Sequence, residues 1–186
     1  MKDQPSDFGG LSFSRIVVVG ANGAGKTWLA QRLGLPVISK DALALTTGWQ
    51  QRPYDTIQVD IARLINAKRW VLEGGPSILS MPVLARAELV VWLDLPAFLR
   101  FRRVVWRSIR YAGRTRPEHP PGNRDWPGPR QWRFAWRAFT GGKGFRAAIT
   151  RALHGTEVPV VRLQSVAEVD LWLRSAREVA GQAGDG

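Results

Sequence analysis

The feature that most constrains the fold is the octapeptide GANGAGKT at residues 20–27, which follows a short β-branched run. Residues 15–19 are typical of a strand buried on both faces, and residues 28–33 continue the chain as a helix. The glycines allow a tight turn that points successive N–H groups inward, and the helix adds its positive dipole end. The pattern GxxxxGK[ST] therefore predicts a loop that cradles nucleotide phosphates.

We predict that the whole loop binds the nucleotide, through Gly20, Ala21, Asn22, Gly23, Ala24, Gly25, Lys26 and Thr27. Lys26 would reach the β and γ phosphates, and Thr27 would offer its hydroxyl to Mg²⁺. A glycine-rich turn without a ligand is the alternative, which the flanking strand and helix disfavour. A dinucleotide fingerprint is also disfavoured, because Gly20, Asn22 and Gly23 do not form GxGxxG.

Strand-like and helix-like segments alternate along the rest of the chain. Further strands are predicted at residues 36–40, 69–72, 89–93 and 158–163, and helices at 55–68, 81–87, 96–111, 131–139, 145–153 and 166–179. Glycine-rich residues 141–144 should separate two helices, and proline-rich residues 115–130 should form a loop or lid. This alternation predicts an α/β fold with a parallel sheet covered on both faces.

The segments make up one predicted domain at residues 15–180, which contains a lid at about 110–145. Residues 1–14 and 181–186 are expected to be tails. No apolar run approaches the length of a membrane span, and the first residues do not resemble a secretory signal. We therefore expect a cytoplasmic protein without a membrane partner. The absence of cysteine and the presence of only two histidines exclude a thiolate or His-based metal site.

Three acids are expected at the carboxyl ends of predicted strands, where parallel α/β sheets bind ligands: Asp41, Glu73 and Asp94. Such an acid can hold Mg²⁺ through water or accept the proton of an attacking hydroxyl. We favour a catalytic role for Asp41, although it also suits a helix N-cap. For Glu73, metal binding and a structural role are evenly matched. Asp94 is predicted to be a cap or a partner in an ion pair.

Positive charge is concentrated in one part of the chain. Residues 98–151 contain 14 Lys and Arg against two acids, which accounts for the whole net charge of +12. This region should face a polyanion: a nucleoside triphosphate, a nucleic acid or a membrane surface.

Arginines in this region follow one helix face and then enter the predicted lid. Arg103, Arg107 and Arg110 lie on the helix, and Arg114 and Arg116 follow it. The guanidinium fork suits phosphates, and an inserted arginine can neutralise charge on a transferring phosphoryl group. We predict that Arg107 and Arg116 bind the nucleotide and that Arg110 and Arg114 act in catalysis. A solvated helix face is the alternative for each of them.

Aromatic residues interleave with the arginines in the second half of the basic region. Trp126, Trp132 and Trp136 alternate with arginines, which is the composition of a surface that stacks single-stranded nucleic acid. Trp132 and Trp136 are also one helical turn apart and could form the buried side of an amphipathic helix. We favour packing in the core or lid, and nucleic-acid binding is the alternative.

Six segments carry a resemblance to a known family, in the family's order: GANGAGKT, LPVISKDAL, GWQQRP, WVLEG, VVWLDLP and RYAGRTRP. Over about residues 15–173 the chain resembles the adenylate-kinase-like phosphate-loop proteins of the FlaR type, called DNA topology modulation proteins. After the third strand that family commonly reads Asp-Gly-Asn-Tyr, whereas this chain has Glu73-Gly74-Gly75-Pro76. The change removes an amide and an aromatic ring from the expected acceptor side.

The resemblance implies a three-layer P-loop NTPase fold of the nucleoside and nucleotide kinase type, with strand order 2-3-1-4-5, an Arg-rich helical lid, and ATP and Mg²⁺ as ligands. Lys26 and Thr27 would then serve ATP and magnesium, Asp41 would face the acceptor, and Arg110, Arg114 and Arg116 would belong to the lid. The leading hypothesis is an ATP-dependent kinase acting on a small acceptor. The alternative is a nucleic-acid-associated protein whose nucleotide site regulates it; an NTP-hydrolysing switch ranks last.

Overall fold

The computed structural model describes residues 13–116, 122–124 and 128–182. Five parallel strands form one sheet in the order β2-β3-β1-β4-β5. They are β1 Arg15–Gly20, β2 Val37–Ser39, β3 Trp70–Gly74, β4 Leu89–Leu93 and β5 Val160–Leu163. In the register of the sheet, Val18 of the central strand β1 lies opposite Glu73 of β3 and Val91 of β4. The predicted parallel sheet and its strand order are confirmed.

Helices connect the strands and cover both faces of the sheet. Those in the described ranges are α1 Lys26–Ala30, α2 Lys40–Ala44, α3 Tyr54–Leu64, α4 Met81–Leu84, α5 Ala97–Arg110, α6 Pro129–Thr140, α7 Gly142–Leu153 and α8 Val166–Gln182. None of them is long and apolar enough to cross a membrane.

The core lies on both sides of the sheet because the β-branched residues of β1 alternate between its faces. Ile16 and Val18 pack with α1 and α8, whereas Val17 and Val19 pack with α3, α4 and α7. The central strands are therefore buried from both sides. Their carboxyl ends form the edge of the sheet that carries the phosphate-loop sequence.

The structure corrects one expectation about the basic region and shows which face of α5 is buried. Residues 141–144 do not form a linker, since α7 begins at Gly142. A Cβ at Gly142 would lie 2.8 Å from a guanidinium nitrogen of Arg100, so α7 begins close to the Arg100 side chain. On α5, the apolar residues Phe98 and Ile109 are exposed, and the buried face consists of Arg100, Val104 and Ser108. Residues 117–121 and 125–127 of the predicted lid lie outside the described residues.

Candidate active site

The GANGAGKT segment forms the turn between β1 and α1, as its sequence predicts. A Cβ at Gly20 would lie 2.6 Å from the carbonyl oxygen of Leu93, because β1 and β4 run side by side at this point. Gly23 has a φ of +80° and approaches the Arg100 carbonyl so closely that a Cβ would lie 2.4 Å from its oxygen. These contacts require glycine and fix the loop between β4 and the first turns of α5.

Lys26 begins α1 and is buried at the base of the loop, where its Nζ donates to the Ala21 carbonyl at 3.3 Å. Burial lowers the pKa of Lys26, while the negative charges of Glu73 and Asp41 oppose that shift and nearby arginines add to it. A buried cation without a direct carboxylate contact gains stabilisation when an anion binds beside it. This arrangement suits a lysine that meets a phosphate group.

Glu73 is an acid in direct contact with the phosphate loop. Its carboxylate is only 2% exposed and accepts hydrogen bonds from the Thr27 hydroxyl at 3.2 Å and the Ser39 hydroxyl at 2.5 Å. Burial raises the pKa of Glu73, against the lowering effects of the Ser39 hydrogen bond and the Lys26 charge. The end of β3, the end of β2 and the start of α1 therefore converge on one carboxylate.

Asp41 lies in the first turn of α2, exposed to solvent at the edge of the same cleft. Its charge acts on both Lys26 and Glu73. The alternative role of helix N-cap is wrong for Asp41, because Ser39 occupies that position and accepts from the Ala42 N–H at 3.5 Å. An exposed carboxylate that is not used as a cap can accept a proton.

Asp94 follows β4 and has the structural role that its sequence context favours. Arg146 donates to both of its oxygens, at 2.7 and 2.9 Å, and Arg162 donates at 2.5 Å. Arg162 also lies 4.4 Å over the ring of Trp92. The prediction of an ion pair with the basic region is confirmed.

A cleft of about 1290 Å³ opens above the carboxyl ends of the strands. Its described lining contains eight Lys and Arg residues and two acids, Asp41 and Glu73. Phosphate-loop residues, including Lys26 and Thr27, form one side. The chain between β2 and β3 forms the other side, with Leu45, Trp49, Tyr54 and other residues. The excess of positive charge fits a polyanionic ligand.

The predicted arginines divide into two groups. Arg107 and Arg116 line the cleft, whereas Arg110 and Arg114 are exposed and lie outside its described lining. Arg103 also lines the cleft, and its Nη1 donates to the Ala24 carbonyl at 3.1 Å. Burial lowers the pKa of Arg103. Because Arg103 lies four residues before Arg107, helical periodicity could have placed both arginines on the face that lines the cleft.

Sequence reasoning missed further residues of the cleft, among them Ser39, Arg52, Arg124 and Arg133. Ser39 could have been predicted, because it lies near the carboxyl end of a predicted strand, at the edge of the sheet where ligands bind. Arg52 donates to Asp60 at 2.8 Å, so its charge is already compensated. The basic charge of residues 98–151 points to a polyanion for the region as a whole, but which of its arginines, such as Arg124 and Arg133, reach the cleft depends on how the lid region packs.

The tryptophans of α6 do not pack as expected. Trp132 is 60% exposed and Trp136 is 62% exposed, so of the two favoured positions, core or lid, the core is wrong for both. Phe139 contacts α5 by an aromatic pair, with its ring centroid 5.8 Å from that of Phe101. Trp126 lies outside the described residues.

The oxygen donors at the loop fit a magnesium ion of the kind that accompanies a nucleotide. The Thr27 hydroxyl touches the Glu73 carboxylate, and Asp41 lies in the same cleft. Within the ranges 13–116, 122–124 and 128–182, no group of three or more His, Cys, Asp or Glu residues could hold a metal alone. Mg²⁺ is commonly bound by one or two carboxylates together with substrate phosphates, which is the donor set available here.

Comparison with known proteins identifies the fold. Shikimate kinase from Acinetobacter baumannii in complex with shikimate aligns over 92% of this chain and 95% of its own, with TM-score 0.54 and 18% identity. Shikimate kinase from Bacteroides thetaiotaomicron aligns over 91% of this chain and 99% of its own, with TM-score 0.47 and 16% identity. No protein-family description and no curated protein matches the sequence. The chain has the P-loop kinase fold, and this assignment rests on its structural similarity to the Acinetobacter enzyme.

Proposed function

We propose that this protein is an ATP-dependent kinase that transfers the γ-phosphoryl group of MgATP to a hydroxyl or phosphate group of a small acceptor. The observation that carries the proposal is the convergence of Lys26, Thr27 and Glu73 at the phosphate loop, inside a cleft with a surplus of arginine. The kinase-type fold of the chain supports it.

The phosphate loop, two acids and two arginines of the cleft each have a role in this reaction. Lys26 and the loop amides bind the phosphates, while Thr27 and Glu73 would hold Mg²⁺, which would shield the phosphate charge. With a hydroxyl acceptor, its oxygen forms the new bond to the γ-phosphorus as the bond to the β-γ bridging oxygen breaks and ADP leaves. Asp41 accepts the hydroxyl proton. Arg107 and Arg116 neutralise charge on the transferring group.

A panel of nucleosides, nucleotides and small alcohols, incubated with γ-labelled ATP, tests the proposal. We expect at least one acceptor to gain label with the wild-type chain and not with Lys26→Ala. Lys68→Ala is the matched control, because Lys68 is exposed and lies outside the described lining of the cleft. Label transfer that Lys26→Ala retains, or no transfer to any acceptor despite MgATP binding, would contradict it.

A second candidate function, nucleic-acid binding regulated by the nucleotide site, is favoured by the exposure of Trp132 and Trp136 beside exposed Arg133. Exposed indoles can stack on bases while arginine contacts the backbone. This function predicts that affinity for single-stranded DNA falls steeply with salt, and that Trp132→Ala with Trp136→Ala lowers it by about tenfold or more. Binding that is unaffected by both changes would exclude this surface.

A further inference from the structure

The hairpin at residues 45–51, on the acceptor side of the cleft, has an unusual backbone. Leu45 and Gln51 pair across it, and Gly48 and Trp49 at its tip have φ values of 74° and 61°. Trp49 is the one residue other than glycine with a positive φ in the described part of the chain. A bulky side chain in this conformation is strained, so surrounding contacts must hold it there.

Asn123, in the middle of the lid sequence, makes two hydrogen bonds to this hairpin. Its side chain is fully buried, with an exposure of 0%. Its Oδ1 accepts from the Trp49 N–H at 2.7 Å, and its Nδ2 donates to the Thr46 carbonyl at 2.9 Å. The Asn123 amide group therefore satisfies both the Trp49 N–H and the Thr46 carbonyl of the hairpin.

The residues on either side of Asn123 fit the same hairpin. The Trp49 indole N–H donates to the Arg124 carbonyl at 3.3 Å. Gly122 has a φ of +88° and packs so closely that a Cβ would lie 2.8 Å from Cγ2 of Thr47. Arg124 also pairs with Thr115, next to Arg116, and both arginines line the cleft. Residues 122–124 thus connect the arginine side of the cleft to its acceptor side.

Resting on the proposed kinase function, we propose that Asn123 positions Trp49 and that Trp49 selects the acceptor. The half-buried indole lines the cleft with Leu45, Tyr54 and Ile57, so this wall suits an acceptor with a ring or apolar face beside its reacting group. Because Trp49 depends on Asn123 for its conformation, this wall is complete only when residues 122–124 are in place.

A double-mutant cycle in steady-state kinetics tests this coupling, using an acceptor found with the panel above. We expect Trp49→Ala to raise the acceptor KM about 10- to 100-fold through lost apolar contact. Asn123→Ala and the similarly sized Asn123→Asp should raise it about tenfold. The Trp49→Ala/Asn123→Ala double variant should be no worse than Trp49→Ala alone, since both act on one contact. The KM for MgATP should change less than about twofold.

Two controls separate positioning from general loss of structure. Trp106→Ala and Asn66→Ala remove an exposed tryptophan and an exposed asparagine away from the cleft, and both should leave the acceptor KM unchanged. Additive effects of Trp49→Ala and Asn123→Ala, or an unchanged acceptor KM in either, would overturn the proposal.

Amide hydrogen exchange tests the Asn123 contact without any substrate. In Asn123→Ala, the Trp49 amide should exchange at least about tenfold faster, because its acceptor is gone, whereas Asn66→Ala should have no effect. An unchanged Trp49 rate would overturn the positioning role even if the kinase is active. If no acceptor is phosphorylated, the proposed function and the acceptor role fail together, and the exchange rate alone decides whether Asn123 holds Trp49.

Discussion

Glu73 and Asp94 lie on either side of β1 at the same edge of the sheet, and both are buried. Asp94 is held by two arginines, which take up both of its oxygens. Glu73 accepts from two hydroxyls and has only a longer-range attraction to Lys26. From the sequence alone, both are acids at the carboxyl ends of strands, where parallel α/β sheets bind ligands. These partners assign Asp94 to stabilising the fold, whereas cation binding by Glu73 is part of the function proposed above.

The distinction extends to the groups around each acid. Arg146 and Arg162 come from α7 and β5 and tie those elements to the end of β4. Around Glu73, by contrast, the hydroxyls of Thr27 and Ser39 are themselves potential ligands, and Asp41 stands exposed nearby. We therefore expect changes in the Glu73 region to alter turnover and changes at Asp94 to alter stability.

The largest effect should come from Asp41→Asn, which removes the proposed proton acceptor without changing the shape of the side chain. We expect kcat to fall roughly 10²- to 10⁴-fold, the range for loss of a general base. The free energy of unfolding should change by less than about 0.5 kcal/mol, because Asp41 is exposed. Steady-state kinetics and urea unfolding measure the two quantities. A kcat within threefold of wild type would remove Asp41 from the mechanism.

Asp94→Asn should give the opposite result. It leaves Arg146 and Arg162 without their shared carboxylate, and we expect a loss of about 2–3 kcal/mol in the free energy of unfolding. This figure is below that of a fully buried pair because both arginines are partly exposed. Urea unfolding monitored by circular dichroism provides the measurement. A variant of unchanged stability but much reduced turnover would reverse the roles assigned to the two acids.

Glu73→Gln should change how stability depends on pH. Since the folded chain raises the pKa of Glu73, its unfolded state loses the proton at lower pH than its folded state. The stability of the wild type should therefore fall, relative to Glu73→Gln, as pH rises from the usual glutamate pKa to the raised value, and then level off. Unfolding free energies of both proteins from pH 4 to 8 test the sign. A wild-type stability that instead rises relative to Glu73→Gln as pH rises would show that the fold favours the ionised form of Glu73.

Much of the site could be predicted from the sequence where a residue's role depends on local structure. Lys26 and Thr27 follow from a loop motif between a strand and a helix, and Glu73 follows from the position where a strand ends. Arg103 is selected over Arg110 by the packing of α5 against the loop, which periodicity alone does not fix. Asn123 has no local signal at all, because its partners lie more than 70 residues away.

Sequence reasoning was wrong where two interpretations shared one pattern. The spacing of Trp132 and Trp136 fits both a buried and an exposed helix face, and only tertiary packing decides that they are exposed. The same holds for α5, whose buried face includes the charged residue Arg100. Its Nε donates to the Leu95 carbonyl at 3.1 Å, which offsets part of the cost of burial.

The most direct test of the central claim is a calorimetric titration of MgATP into the wild-type chain, Lys26→Ala and Lys68→Ala. We expect the wild type and Lys68→Ala to bind MgATP equally, and Lys26→Ala to bind it roughly 100-fold more weakly because a charge-assisted contact to phosphate is lost. Equal affinity of wild type and Lys26→Ala for MgATP would contradict it.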